Sequence, residues 1–92
     1  MRELFIGTCG QEDESGVTHR FKYYILTGEM QVNGGFACES YGVKIVDDDN
    51  QDEASSIPNI TTSVSRIDEL MELLTRNTVG PASLGDVVAD WL

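Results

Sequence analysis

Residues Val17–Val46, VTHRFKYYILTGEMQVNGGFACESYGVKIV, decide how this chain folds. Val17, Phe21, Tyr23 and Ile25 alternate with Thr18, Arg20 and Lys22, and Tyr41, Val43 and Ile45 are in phase further on. A period of two is the mark of a strand with one buried face. His19 falls in phase with the apolar set, at the strand's start. Between the runs, Asn33-Gly34 supplies two residues that tolerate positive φ, a strong hairpin signal. A two-residue turn would pair Tyr23 with Lys44 and Ile25 with Gly42, setting apolar against polar. A three-residue Asn33–Gly35 loop pairs Ile25 with Val43 and Tyr23 with Ile45; a bulge at Gly28 pairs Ile25 with Tyr41 and Tyr23 with Val43. A one-residue slip turns every side chain over, so one of the two apolar registers is expected.

Upstream, ELFIGTC (Glu3–Cys9) reads as another strand, closed by the polar turn GQEDESG. Downstream, DDDNQDEASSIPN (Asp47–Asn59) reads as a solvated connection. The period then changes: Ile67, Leu70, Met71 and Leu74 recur at helical spacing, with Leu73 widening the stripe. Ser65 is the expected N-cap with Asp68 three residues on, Glu72 and Arg76 form an i,i+4 pair, and Asn77 ends the helix in the left-handed conformation. A second helix restarts at Ser83 with Asp86 behind it and Leu84, Val87, Val88 and Trp91 on its apolar face. Apolar residues at a chain end imply docking, so Trp91 and Leu92 are expected against the core. The expectation is one α+β domain over 1–92 in the order β-β-β-α-α: a three-stranded antiparallel sheet in 1–46, an acidic linker in 47–59 and a helical hairpin in 60–92.

The net charge is −10, but Glu12, Asp13 and Glu14 with Asp47, Asp48, Asp49, Asp52 and Glu53 hold eight of the sixteen acids. Nucleic acid is disfavoured as a partner, since phosphate binding needs concentrated Lys and Arg. The two C-terminal helices have the outline of a helix-turn-helix but not its chemistry. Ser83–Leu92 has no Lys or Arg and carries Asp86 and Asp90, while Arg66 and Arg76 are outnumbered by Asp68, Glu69 and Glu72. The pair is a packing hairpin. An acidic nucleic-acid mimic that occupies a basic protein site is the alternative; it needs carboxylates ordered on one rigid face.

No secretory pattern opens the chain, and its longest apolar run, Tyr23–Leu26, is far short of a membrane span. Cys9 and Cys38 stand alone, as buried thiols of a reducing compartment do, so the expectation is a cytoplasmic protein that engages no membrane. An EF-hand frame from Asp48 places Asp48, Asn50 and Asp52 correctly, but has Glu53 where Gly belongs and Asn59 where Glu belongs. A thiol enzyme would use Cys9 or Cys38 with His19, oriented by Glu39; nothing in the pattern lowers a thiol pKa. No phosphate-binding glycine motif occurs. Neither catalysis, a metal nor a cofactor is expected.

What remains is the sheet face opposite the helices. Arg20, Lys22, Tyr24, Leu26 and Lys44 would gather there, a mixture that suits a modest contact surface as well as solvent. The expected role is that of an interaction or regulatory protein, binding another protein or its own copy through this face or an edge strand.

One resemblance accompanies this reading. The stretch SRIDELMELLTRNTVGPASLGDVVADWL (Ser65–Leu92), with ACESYGVKI (Ala37–Ile45) upstream, resembles an uncharacterised family of small bacterial proteins, a domain of unknown function. It covers Tyr24 to the end apart from the acidic linker, on the pattern R-N-x-V-x-P…D-V-V-x-D-W-L that begins at Arg76. The resemblance implies one compact domain with a cap, a turn and a docked terminal helix. It implies no activity.

Overall fold

Four antiparallel strands, rather than three, build the sheet in the computed structural model, which describes residues 2–32, 34–50 and 52–92. They are β1 (Arg2–Glu12), β2 (Thr18–Val32), β3 (Phe36–Asp47) and β4 (Ala54–Thr61), in spatial order β1-β2-β3-β4. Two helices follow, α1 (Val64–Arg76) and α2 (Leu84–Trp91), with a 3₁₀ turn at Pro81–Ser83 leading into the second. The central hairpin takes the three-residue register: Tyr23 faces Ile45, Ile25 faces Val43, and Val32 faces Phe36. Gly34 and Gly35 close it with φ of 96° and 80°; Asn33 lies outside the described residues.

The fourth strand corrects the expected thirteen-residue linker, which shrinks to the turn between Asp47 and Ala54. Ser55 and Ile57 turn towards the core while Ala54 and Ser56 face out, the alternation of an edge strand written in small polar residues. Hydrophobic periodicity is weak there, and Pro58 argues against a central strand while allowing an edge one. Past Ile57 the pairing breaks: Val43 faces Ile57 and Tyr41 faces Thr61, so three residues of β4 lie opposite Gly42 alone. Asn59 absorbs the distortion at φ 56°. A Cβ at Gly42 would collide with the Ile57 carbonyl oxygen and stand 2.6 Å from Pro58 Cα. Glycine is required because β4 folds across the sheet there. Leu26 and Ser40, the neighbours of Gly42 on that face, are buried accordingly.

Helix α1 begins two residues earlier than expected. Ser63, not Ser65, is the N-cap: it is extended (φ −97°, ψ 121°) and its Oγ accepts the Arg66 amide at 3.3 Å. Asn77 does not take the left-handed conformation (φ −93°); its Nδ2 donates to the Leu73 carbonyl, and Thr78 takes φ 48° instead. The amides of Thr78 and Val79 then donate to the carbonyls of Thr75 and Leu74, a Schellman closure with Leu74 and Val79 both buried. Ser83 precedes α2 without a side-chain cap bond. Leu92 is exposed rather than docked, whereas Trp91 packs partly on the core with the Arg66 guanidinium 4.1 Å from its ring centroid.

The core joins Tyr23, Ile25, Val43 and Ile45 of the sheet to Ile67, Leu70, Met71 and Leu74 of α1, with Val79, Leu84 and Val88 closing it. The Tyr23 hydroxyl donates to the Val79 carbonyl at 2.9 Å, tying the middle of the sheet to the turn after α1. Burial pushes its phenol far above the ordinary pKa. These helices cover only part of one face. The molecule measures 54 × 23 × 18 Å, and beyond the pair Arg2–Thr27 the β2–β3 ribbon runs on without β1 beside it. Among the described residues, no helix is long and apolar enough to cross a membrane.

Candidate functional site

Register fixes what each sheet surface carries. Tyr24 faces Lys44 across β2–β3 and Phe5 across β1–β2, so Phe5, Tyr24 and Lys44 form one row on the face away from the helices. The Phe5 and Tyr24 rings tilt together at 5.4 Å between centroids, and Lys44 Nζ lies 5.7 Å from the Tyr24 centroid. Lys44 is held by Glu3 at 2.8 Å, and Lys22 by Asp48 at 3.1 Å, a contact that raises the Lys22 pKa. The face thus brings Arg20, Lys22, Tyr24 and Lys44 together, but two of its three cations already have carboxylate partners. Leu26 shares the face in register yet adds little accessible surface, at 4% exposure.

Of the catalytic candidates, Cys9 and His19 are diagonal neighbours across β1–β2, while Cys38 and Glu39 lie on β3. His19 faces Gln11, and its Nε2 bonds Asp13 Oδ2 at 2.9 Å. Cys9 faces Phe21 and packs against the core, while Cys38 lies out on the β2–β3 ribbon. Glu39 pairs with Arg2 at 3.7 Å and accepts the Tyr41 hydroxyl at 3.2 Å. Asp13 carries a second duty: its Oδ1 accepts the amides of Ser15 and Val17, folding the β1–β2 turn. The His19 hydrogen bond lowers the Asp13 pKa, and the same bond raises that of His19, with further help from the charges of Asp47 and Asp49.

The acidic run is folded as well. Asp47 Oδ1 accepts the amides of Asp49 and Asn50, and the Asp48 amide donates to the Arg20 carbonyl. The two acidic turns, 12–14 and 47–53, therefore sit at the same end of the sheet with His19 between them. The EF-hand frame is not realised, because its second half is β4. Among the described residues, no group of three or more His, Cys, Asp or Glu could hold a metal ion.

The two sheet edges differ, and sequence reasoning gave that difference no weight. β4 is defended by Pro58, a broken register and the neighbouring acids, the devices that stop an edge from pairing. β1 is eleven residues long, contains no Pro or Lys, and from Leu4 to Gln11 carries no charge at all. Leu4, Phe5 and Ile6 on it are 57%, 52% and 43% exposed. Its one irregularity is a bulge at Ile6, between the pairs Phe5–Tyr24 and Gly7–Tyr23. A charge-free edge was readable in LFIGTCGQ (Leu4–Gln11); that it is an edge depended on the topology.

The chain matches the model of a family of unknown function (DUF6514) over residues 2–92. It belongs to that family. No curated protein and no solved structure matches it significantly.

Proposed function

We propose that this member of the DUF6514 family is a non-catalytic protein-interaction module that offers the outer edge of β1 to a partner strand. One observation carries the reading: an uncovered edge strand with a charge-free centre and three exposed large apolar residues, in a protein of net charge −10. Backbone amides and carbonyls along such an edge supply affinity, and the alternating side chains supply selectivity. Phe5, Tyr24 and Lys44 flank the edge on the open face, so a bound strand gains an aromatic neighbour there. The expected place of action is a reducing cytoplasm, where Cys9 and Cys38 stay free thiols, of a bacterium, as the resemblance implies.

A second reading rests on the acidic end. Eight carboxylates in two turns folded by their own Asp side chains suit a basic protein surface, as an acidic mimic or inhibitor would. The test compares capture from native lysate by the wild-type chain, by Ile6→Lys, and by the triple variant Asp49→Asn/Asp52→Asn/Glu53→Gln. A partner lost with Ile6→Lys and kept by the triple variant supports the edge. A partner lost only with the triple variant replaces the edge by the acidic end. A partner kept by both rejects both.

A further inference from the structure

The partner that β1 best fits is a second copy of itself. We infer that two chains pair β1 to β1, antiparallel about a twofold axis at the Ile6 bulge, into one eight-stranded sheet. The inference rests on the β1 edge reading above and names its occupant.

Charge decides the direction. Arg2 is the single cation of β1 and stands at its start; Glu12 ends the strand and opens the acidic turn Glu12–Glu14. Parallel pairing would put the two acidic turns side by side and Arg2 against the partner's Arg2. Antiparallel pairing brings each Arg2 to the Gln11–Glu12 end of the other strand, with uncharged Leu4–Gly10 between and Glu3 already held by Lys44. Arg2 is free to do this: its side chain is 84% exposed and its contact with Glu39 is a loose 3.7 Å. The opposite edge offers no such match, since β4 follows the acids of 47–53.

The bulge and the Arg2–Gln11 match together fix the register. Before it, Leu4 shares the helix-covered face with Ile25 and Phe5 the open face with Tyr24; after it, Gly7 and Cys9 take the helix-covered face with Tyr23 and Phe21. Faces on both strands agree when Ile6 lies opposite the partner's Gly7. Leu4 then meets the partner's Cys9, and Phe5 the partner's Thr8. Gly7 also leaves room at the axis, since a Cβ there would have no heavy atom within 4 Å. The interface is isologous and closes, so it ends at a dimer rather than a fibre. One strand pair is a small interface, of the weak and concentration-dependent kind.

Sedimentation equilibrium over a protein concentration series tests this with the wild-type chain, Ile6→Lys, Ile6→Glu, and an equal mixture of the two variants. Circular dichroism and thermal melting establish that each variant folds; Ile6 is exposed, so both should. The expected result is a wild-type mass rising from 10.1 kDa towards twice that value. Each variant alone should dimerise roughly tenfold or more weakly, because like charges meet across the axis, and the mixture should recover the dimer. A wild-type chain that stays monomeric, or a dimer indifferent to both variants, overturns the inference. If the wild type is monomeric but Ile6→Lys still abolishes capture of another protein, self-pairing fails and the edge reading stands. If capture is also untouched, both fail.

Discussion

Gly42 carries the fold-over of β4, and replacing it should be costly although it touches no candidate site. A methyl there meets the Ile57 carbonyl and Pro58 Cα, both backbone, so neither can swing away. Gly42→Ala should lower stability by about 1–3 kcal/mol, the usual cost of forcing atoms into filled space, read as a lower denaturation midpoint. Thr78 works in the other direction. A β-branched residue at φ 48° is strained in the closure of α1, so Thr78→Gly should raise stability by up to about 1 kcal/mol, read as a higher midpoint. An unchanged or lower midpoint would show that Thr78 contributes packing that outweighs its strain. The His19–Asp13 pair adds a pH dependence at the same scale. His19 is raised from 6.5, so its contribution is complete below about pH 6.5 and is lost as pH rises through the folded value. Asp13 is lowered from 3.8, so its contribution is present above about pH 4 and is lost as pH falls through the folded value. The melting advantage of wild type over His19→Gln should therefore be largest between those limits and shrink as pH rises through the folded His19 value. No advantage at about pH 5.5 would mean that the ion pair adds nothing.

Helix α2 is docked by Leu84 and Val88, and its last turn by Trp91. Trp91 rests partly on the core and under the Arg66 guanidinium, while Leu92 is 74% exposed. Trp91→Ala should cost about 2–3 kcal/mol, below the range for a fully buried Trp, and deletion of Leu92 should leave the stability within about 0.5 kcal/mol of wild type, both read from denaturation midpoints. Equal effects would place the tail differently. The elements with strong period were legible from residues alone: Tyr23, Ile25, Val43 and Ile45 named the core face of the central hairpin, and Ile67, Leu70, Met71 and Leu74 named that of α1. β4 was not, because Ser55, Ser56 and Pro58 carry little hydrophobic signal and its place depends on Gly42 leaving space. The cap at Ser63 was missed because Val64 lies off the apolar stripe. The thirteen-residue acidic connection was misjudged because hydrogen bonds donated by the amides of Asp49 and Asn50 to the Asp47 carboxylate fold it locally.

At the scale of the whole molecule, helices cover one part of one sheet face, β4 closes one edge, and the acids collect at one end. Among the described residues, the edges left uncovered are β1 and the far end of the β2–β3 ribbon, and of these β1 is the longer and the uncharged one. The expected contact residues Arg20, Lys22, Tyr24 and Lys44 do gather on the open face, yet Lys22 and Lys44 are neutralised there by Asp48 and Glu3. The face followed from alternation, but its charge balance did not, since Glu3 and Asp48 reach it only through the register of β1 and the turn after β3. That makes the β1 edge, rather than the open face, the surface that carries the interaction reading. Amide hydrogen exchange along Leu4–Gln11, measured at low and at high protein concentration, tests this most directly. Outward-facing β1 amides should exchange freely in the dilute protein and become protected when concentrated, while β4 amides do not change. Equal exchange across Leu4–Gln11 at both concentrations would contradict it.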